Sequence, residues 1–96
     1  MRTCYLVTYD IAAADRLRAV FKVMKGAGAH LQYSVFRCDL SAREREQLIS
    51  DLTEVIRHTE DQVLFDDLGP PDGRAATCIV ALGRPYAPPG RAPIIV

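Results

Sequence analysis

The chain has 96 residues, 49% hydrophobic and 25% charged, with a formal net charge of +0 at pH 7, an ordinary balance for one soluble globular domain. No run approaches the ~20 apolar residues of a membrane span, and no basic segment leads into an apolar one as in a secretory signal, so a cytoplasmic protein with no membrane partner is expected. Cys4, Cys38 and Cys78 are odd in number and widely spaced, which argues against a disulfide framework and against a zinc site and favours three small apolar side chains in predicted strands.

Thr3 to Tyr9 is uncharged and rich in β-branched and aromatic residues, the pattern of a central strand buried on both faces. It ends at Asp10. A lone carboxylate at a strand tip either caps the following helix or carries chemistry of the kind that α/β architectures place there. A helix is expected from about Ala13 to Lys25, with Leu17, Val20, Phe21 and Met24 as its core stripe. Arg18, Lys22 and Lys25 share another face. Gly26 and Gly28 stop this helix.

His30 to Leu40 has strand character and is read as two short strands with a tight turn near Gln32 and Tyr33. Ser41-Ala42-Arg43-Glu44 is a capping box. It opens a second helix whose stripe is Leu48, Ile49, Leu52, Val55 and Ile56, ending near Thr59. Asp61 to Leu68 is the next strand, stopped by Gly69-Pro70-Pro71-Asp72-Gly73. A further strand is expected from Ala75 to Leu82. All six prolines lie from Pro70 onward, so the tail 84–96 is expected to be extended. Its last residues, Ile94-Ile95-Val96, suit pairing with a sheet edge.

The order β-α-β-β-α-β predicts an α+β, ferredoxin-like sandwich over residues 1–83 with extra C-terminal strand. Right-handed crossovers place both helices on one sheet face. The other face is left uncovered, which predicts a homodimer with the tail packed on the partner. A domain of this size buries only roughly 60–65% of its unfolded surface, so association would also relieve marginal stability.

Net neutrality hides a segregation of charge. From Arg16 to Arg37 the charged residues are Arg16, Arg18, Lys22, Lys25 and Arg37, with no acid. From Cys38 to Asp72 there are ten acids and three basic residues. An acid on a rigid strand tip beside a basic helix is what metal-assisted phosphodiester chemistry needs, and the basic stretch suits nucleic acid. His30 and His58 have no partner at ligand spacing. Asp61, Asp66 and Asp67 form a rival acidic set, but Asp66 and Asp67 are adjacent on a strand and point to opposite faces.

Three segments together resemble a known family. They are Tyr9-Asp10-Ile11 with Arg16-Leu17-Arg18; Gly28 with Gln32-Tyr33-Ser34-Val35-Phe36; and Glu60-Asp61-Gln62-Val63 leading to Asp67-Leu68-Gly69. Over about residues 3–83 the chain resembles the CRISPR-associated protein 2 family, the small partner of the integrase in spacer acquisition. The resemblance implies a ferredoxin-like homodimer. It implies a Mg2+-dependent endonuclease (Mn2+ being an alternative ion) acting on RNA or DNA in some members, and a non-catalytic DNA-binding clamp between integrase dimers in others.

On this chain the family's catalytic and metal-binding aspartate falls on Asp10. The family's basic helix-one residues fall on Arg16 and Arg18 and its Ser-Val-Phe positions on Ser34 and Phe36. With Lys22 and Arg37 of the acid-free stretch, the four cations are the expected nucleic-acid contacts, and Tyr9, Ser34 and Phe36 the expected supports. The acid that often follows the phenylalanine is replaced by Arg37, and Ala12-Ala13-Ala14 follows Asp10 where further acids are common. One carboxylate per chain is thin for Mg2+, whereas two Asp10 side chains across a two-fold axis would hold one ion. Outside the family, a metabolite-binding regulatory domain would want a glycine-rich loop that the sequence lacks. A ribonuclease toxin of similar fold is a further alternative.

Overall fold

The first strand, β1, runs from Arg2 to Asp10 and occupies the middle of the sheet. Helix α1 follows at Ala14–Lys25, then strand β2 at Ala29–Gln32, strand β3 at Val35–Ser41, helix α2 at Ala42–Val55 and strand β4 at Gln62–Asp67. The computed structural model describes residues 1–86. The strand order is β2-β3-β1-β4, with every neighbouring pair antiparallel. This is the expected ferredoxin-like arrangement.

Alternation along β1 builds the two layers. Val7 and Tyr9 point to the helices and join Phe36, Cys38 and Leu40 of β3 in one core. Val20 and Met24 of α1 and Leu48 and Leu52 of α2 complete it, so both helices cover the same face. Phe36 is fully buried, and burial of such a side chain stabilises by about 1.5–3 kcal/mol. Leu17, expected in the stripe of α1, lies at its edge and is 39% exposed.

Helix α2 begins as its capping box dictates. Ser41 Oγ accepts from the Glu44 N–H at 3.1 Å, and Glu44 Oε1 accepts from the Ser41 N–H at 2.9 Å. It ends four residues before Thr59, at Val55. The Arg57 N–H, which would continue the helix, instead donates to Asp61 Oδ2 at 2.8 Å. The two short strands β2 and β3 meet at the tight turn Tyr33-Ser34, as expected. Gly28 just before β2 lies against β3: a Cβ there would stand 2.4 Å from the Arg37 carbonyl oxygen and 2.5 Å from Cys38 Sγ. Only glycine permits that approach.

The face away from the helices carries Cys4, Leu6, Thr8, Val35, Arg37, Asp39 and Leu64 by register. Residues after β4 lie partly against it. The expected strand from Ala75 to Leu82 is replaced by a short 3-10 turn at Arg74–Ala76 and then irregular backbone. Cys78 accordingly is not in a strand. Among the described residues this segment pairs with neither edge strand, β2 or β4. Residues 79–82 and Tyr86 instead border an open cleft of about 470 Å³ whose floor includes Leu6, Leu31 and Val35. Ile94, Ile95 and Val96 lie outside the described residues.

All three cysteines are free thiols, with Cys4 and Cys38 buried and Cys78 half-buried. Burial pushes the Cys4 and Cys38 thiols each up to about 11. No helix among the described residues is long and apolar enough to cross a membrane.

Candidate active site at the tip of the first strand

Asp10 is the last residue of β1, exposed, and paired in register with Gln62 of β4. It does not cap α1. The N-cap of that helix is Ala13, which makes no side-chain capping bond. Among the described residues the Asp10 carboxylate enters no ion pair and no hydrogen bond. A rigid central strand therefore presents a free carboxylate to solvent.

Its neighbours on either side fix the tip. The Tyr9 N–H donates to the Ser34 carbonyl at 3.1 Å, which extends the ladder into the β2–β3 turn. Tyr9 stacks on Phe36 with ring centroids 6.3 Å apart, and burial raises the Tyr9 phenol pKa above its ordinary value. Phe36 is wholly internal. It also meets Phe21 at 5.6 Å and His30 at 4.8 Å. Tyr9 and Phe36 thus support the strand tip from within the core, and Ser34 does so through its backbone.

Asp61 lies beside the tip and has a different role from the rival metal ligand considered above. Its Oδ1 accepts from the Ala12 N–H at 2.8 Å and from Arg16 Nη2 at 3.2 Å. Its Oδ2 accepts from Arg16 Nε at 2.8 Å and from the Arg57 N–H at 2.8 Å. Four donors fill the roughly four acceptor sites of a carboxylate. The Arg16 guanidinium, above all, and then the two backbone donors hold this carboxyl far below the usual carboxylate range. Asp61 is a clasp joining the entry of α1, the exit of α2 and the start of β4.

The basic residues divide into two groups. Arg16 has its donors engaged by Asp61 and by Glu60, at 2.9 Å from Oε1, and its side chain is only 17% exposed. Arg37 is 6% exposed on the sheet face away from the helices, where Nη1 donates to the Tyr86 hydroxyl at 3.2 Å. Its Nε stands 3.9 Å from Asp39 Oδ1, beyond hydrogen-bonding range. Neither arginine is presented to a phosphate in this arrangement, because each is held by partners from distant sequence. Arg18 and Lys22 are exposed on α1, one turn apart and on one face. Lys25 lies 5.7 Å from the Phe21 ring centroid.

Tyr33, expected only as a turn and motif residue, has a conformation that its sequence position does not report. It is 93% exposed and has φ 26°. A non-glycine residue in that region costs on the order of 1–3 kcal/mol and persists only where its surroundings enforce it. His30 Nε2 lies 2.7 Å from the Tyr33 carbonyl oxygen and helps to hold the turn. The signal available in the sequence was a large aromatic between two strands, where glycine or asparagine is usual.

Divalent-ion chemistry would need oxygen donors, and Asp10 supplies one hard carboxylate that suits Mg2+. Asp61 is saturated. Among the described residues no group of three or more His, Cys, Asp or Glu side chains is placed to hold a metal.

The family model for CRISPR associated protein Cas2 matches residues 2–72. The chain is 36% identical over 96 residues to the CRISPR-associated endoribonuclease Cas2 of Geobacter sulfurreducens, covering 100% of both. It is 42% identical over 82 residues to the CRISPR-associated endoribonuclease Cas2 1 of Rhodospirillum rubrum, covering 85% of this chain and 79% of that one. The crystal structure of Streptococcus pyogenes Cas2 at pH 6.5 superposes with a TM-score of 0.71 at 30% identity, covering 83% of this chain and 99% of that one. A second crystal structure, of a protein described as cas2, gives a TM-score of 0.75 over 100% of both chains at 23% identity, which bears on the fold alone. The chain belongs to the CRISPR-associated Cas2 family.

Proposed function

We propose that this protein acts in CRISPR spacer acquisition as a homodimeric, Mg2+-dependent endoribonuclease, with Asp10 of each subunit as its catalytic and metal-binding carboxylate. The observation that carries the reading is the contrast at the strand tip. Asp10 is exposed and unengaged among the described residues, whereas the neighbouring Asp61 is fully hydrogen-bonded. The naming of the Geobacter and Rhodospirillum relatives as endoribonucleases supports the same chemistry.

One chain offers one carboxylate, so the ion would be held by Asp10 and its two-fold mate, with waters and a substrate phosphate completing the shell. Such an ion supplies Lewis acidity toward the scissile phosphate. The chain's own part is to fix Asp10 on a strand tied to both neighbours and to bring substrate to it with Arg18 and Lys22. Arg16 and Arg37 contribute indirectly, by holding the clasp and the terminal segment.

A second reading is a non-catalytic adaptor that binds DNA backbone and bridges integrase dimers. It is favoured by Ala12-Ala13-Ala14 beside Asp10 and by the lack of a metal-binding cluster among the described residues. The test compares wild type with Asp10→Asn on single-stranded RNA and duplex DNA, with Mg2+, with Mn2+ and with a chelator. Metal-dependent cleavage lost in Asp10→Asn, with an unchanged melting temperature, is the expected result. Cleavage that survives Asp10→Asn overturns the assignment of Asp10. Salt-sensitive duplex binding without cleavage in any metal selects the adaptor.

A further inference from the structure

The tip of β1 has a second feature that phosphate chemistry does not use. Tyr33 stands 93% exposed at the head of the β2–β3 turn, in a backbone conformation that tyrosine resists. His30 holds its carbonyl, and the Tyr9–Ser34 backbone bond ties the turn to the residue before Asp10. Beside it is a shallow pocket of about 320 Å³ lined by Tyr9, Leu17, Arg18, Phe21, Tyr33 and Ser34. Its wall is largely apolar and aromatic, with one cation. Arg18 enters no ion pair among the described residues, and Lys22 follows one turn along the same face.

An apolar pocket with an exposed aromatic ring and a free guanidinium matches an unpaired nucleobase and its phosphate. Bases stack on aromatic rings while arginine takes the backbone charge. A peptide would want a sheet edge or a longer groove. Of the acid-free stretch from Arg16 to Arg37, Arg18 lines the pocket and Lys22 lies exposed on the same helix, with charge complementary to nucleic acid.

We propose that Tyr33 and this pocket form a stacking subsite for an unpaired base of a single-stranded nucleic acid, with Arg18 on the adjoining phosphate. The subsite rests on the nucleic-acid reading above and deepens it. It would place a base against Tyr9, the residue before Asp10, on the helix side of the sheet. Recognition by stacking is sequence-tolerant, because every base has a π face. Duplex, whose bases are already stacked, would not use it.

The test is binding of a short oligouridylate, with and without a single abasic position, to the full chain and its variants at several salt concentrations. Tyr33→Ala and Tyr33→Gly are expected to weaken binding about tenfold, within the range known for loss of one stacked base. Tyr33→Phe keeps the ring and should stay within about threefold of wild type. Tyr33→Gly should also melt higher than wild type, since glycine accepts the positive φ, so its loss of affinity cannot be a folding defect. The Tyr33 variants keep the wild-type salt slope, whereas Arg18→Ala reduces it by about one. Equal affinity of wild type, Tyr33→Ala and Tyr33→Gly overturns the subsite while leaving nucleic-acid binding intact. Absence of oligouridylate binding by wild type overturns the subsite, and if duplex binding is also absent the wider reading falls with it.

Discussion

Asp10 ends β1 and Asp61 immediately precedes β4, whose first residue pairs with Asp10, yet their surroundings give the two aspartates opposite properties. Asp61 is buried under two backbone N–H groups and a bidentate arginine. Asp10 projects from the end of its strand with none of these. A carboxylate surrounded by donors is held ionised and unavailable; one left in water keeps its lone pairs for an ion or a substrate. The chemistry of an aspartate is thus decided by how many N–H groups the fold aims at it.

Exchanging these properties gives the sharpest tests. The largest effect expected is on activity: Asp10→Asn should reduce RNA cleavage to the level of a chelated control and leave the thermal midpoint unchanged, read by a gel assay and by calorimetry. Asp61→Asn should do the reverse. Its amide would turn donors toward the Arg57 N–H or Arg16, leaving buried groups unpaired, so the melting temperature should fall well below that of Asp10→Asn. If Asp10→Asn is the less stable of the two, the comparison is wrong.

A weaker effect follows from pH. The folded-state pKa of Asp61 lies below its unfolded value, so its stabilising contribution is present above about pH 4. It is lost as pH falls further toward the folded value. Denaturation of wild type and Asp61→Asn should therefore converge below about pH 4, and a gap that stays constant would show that Asp61 is not the titrating group. The smallest effect is at the other helix entry. Ser41 caps α2 locally, and Ser41→Ala should cost about 1 kcal/mol in urea denaturation, with no effect on cleavage.

These two helix entries also show what is legible in a sequence. Ser41 and Glu44 are three residues apart, so their capping box can be read directly, and so can the apolar stripe of α2. The strand ending at Asp10 and the turn at Tyr33-Ser34 were equally local. Arg16 finds Asp61 at a sequence distance of 45 residues, and no spacing rule reports such a pair. The same clasp takes the Arg57 N–H and stops α2 early, which its own composition does not foretell. Arg37 reads as a surface cation until Tyr86 is folded over it. Ala75 to Leu82 has strand composition, but a strand forms only where the chain is led back alongside a sheet edge, and the 3-10 turn at Arg74–Ala76 leads this segment elsewhere.

The unequal burial of the three thiols has a practical consequence. Cys4 and Cys38 are enclosed, and their raised pKa values keep them protonated at neutral pH, whereas reagents such as maleimides attack the accessible thiolate. Cys78, the least buried, lies on the segment that borders the open sheet face. The wild-type chain therefore carries its own single attachment point for a fluorophore or spin label, on the segment that borders the cleft over Leu6 and Val35.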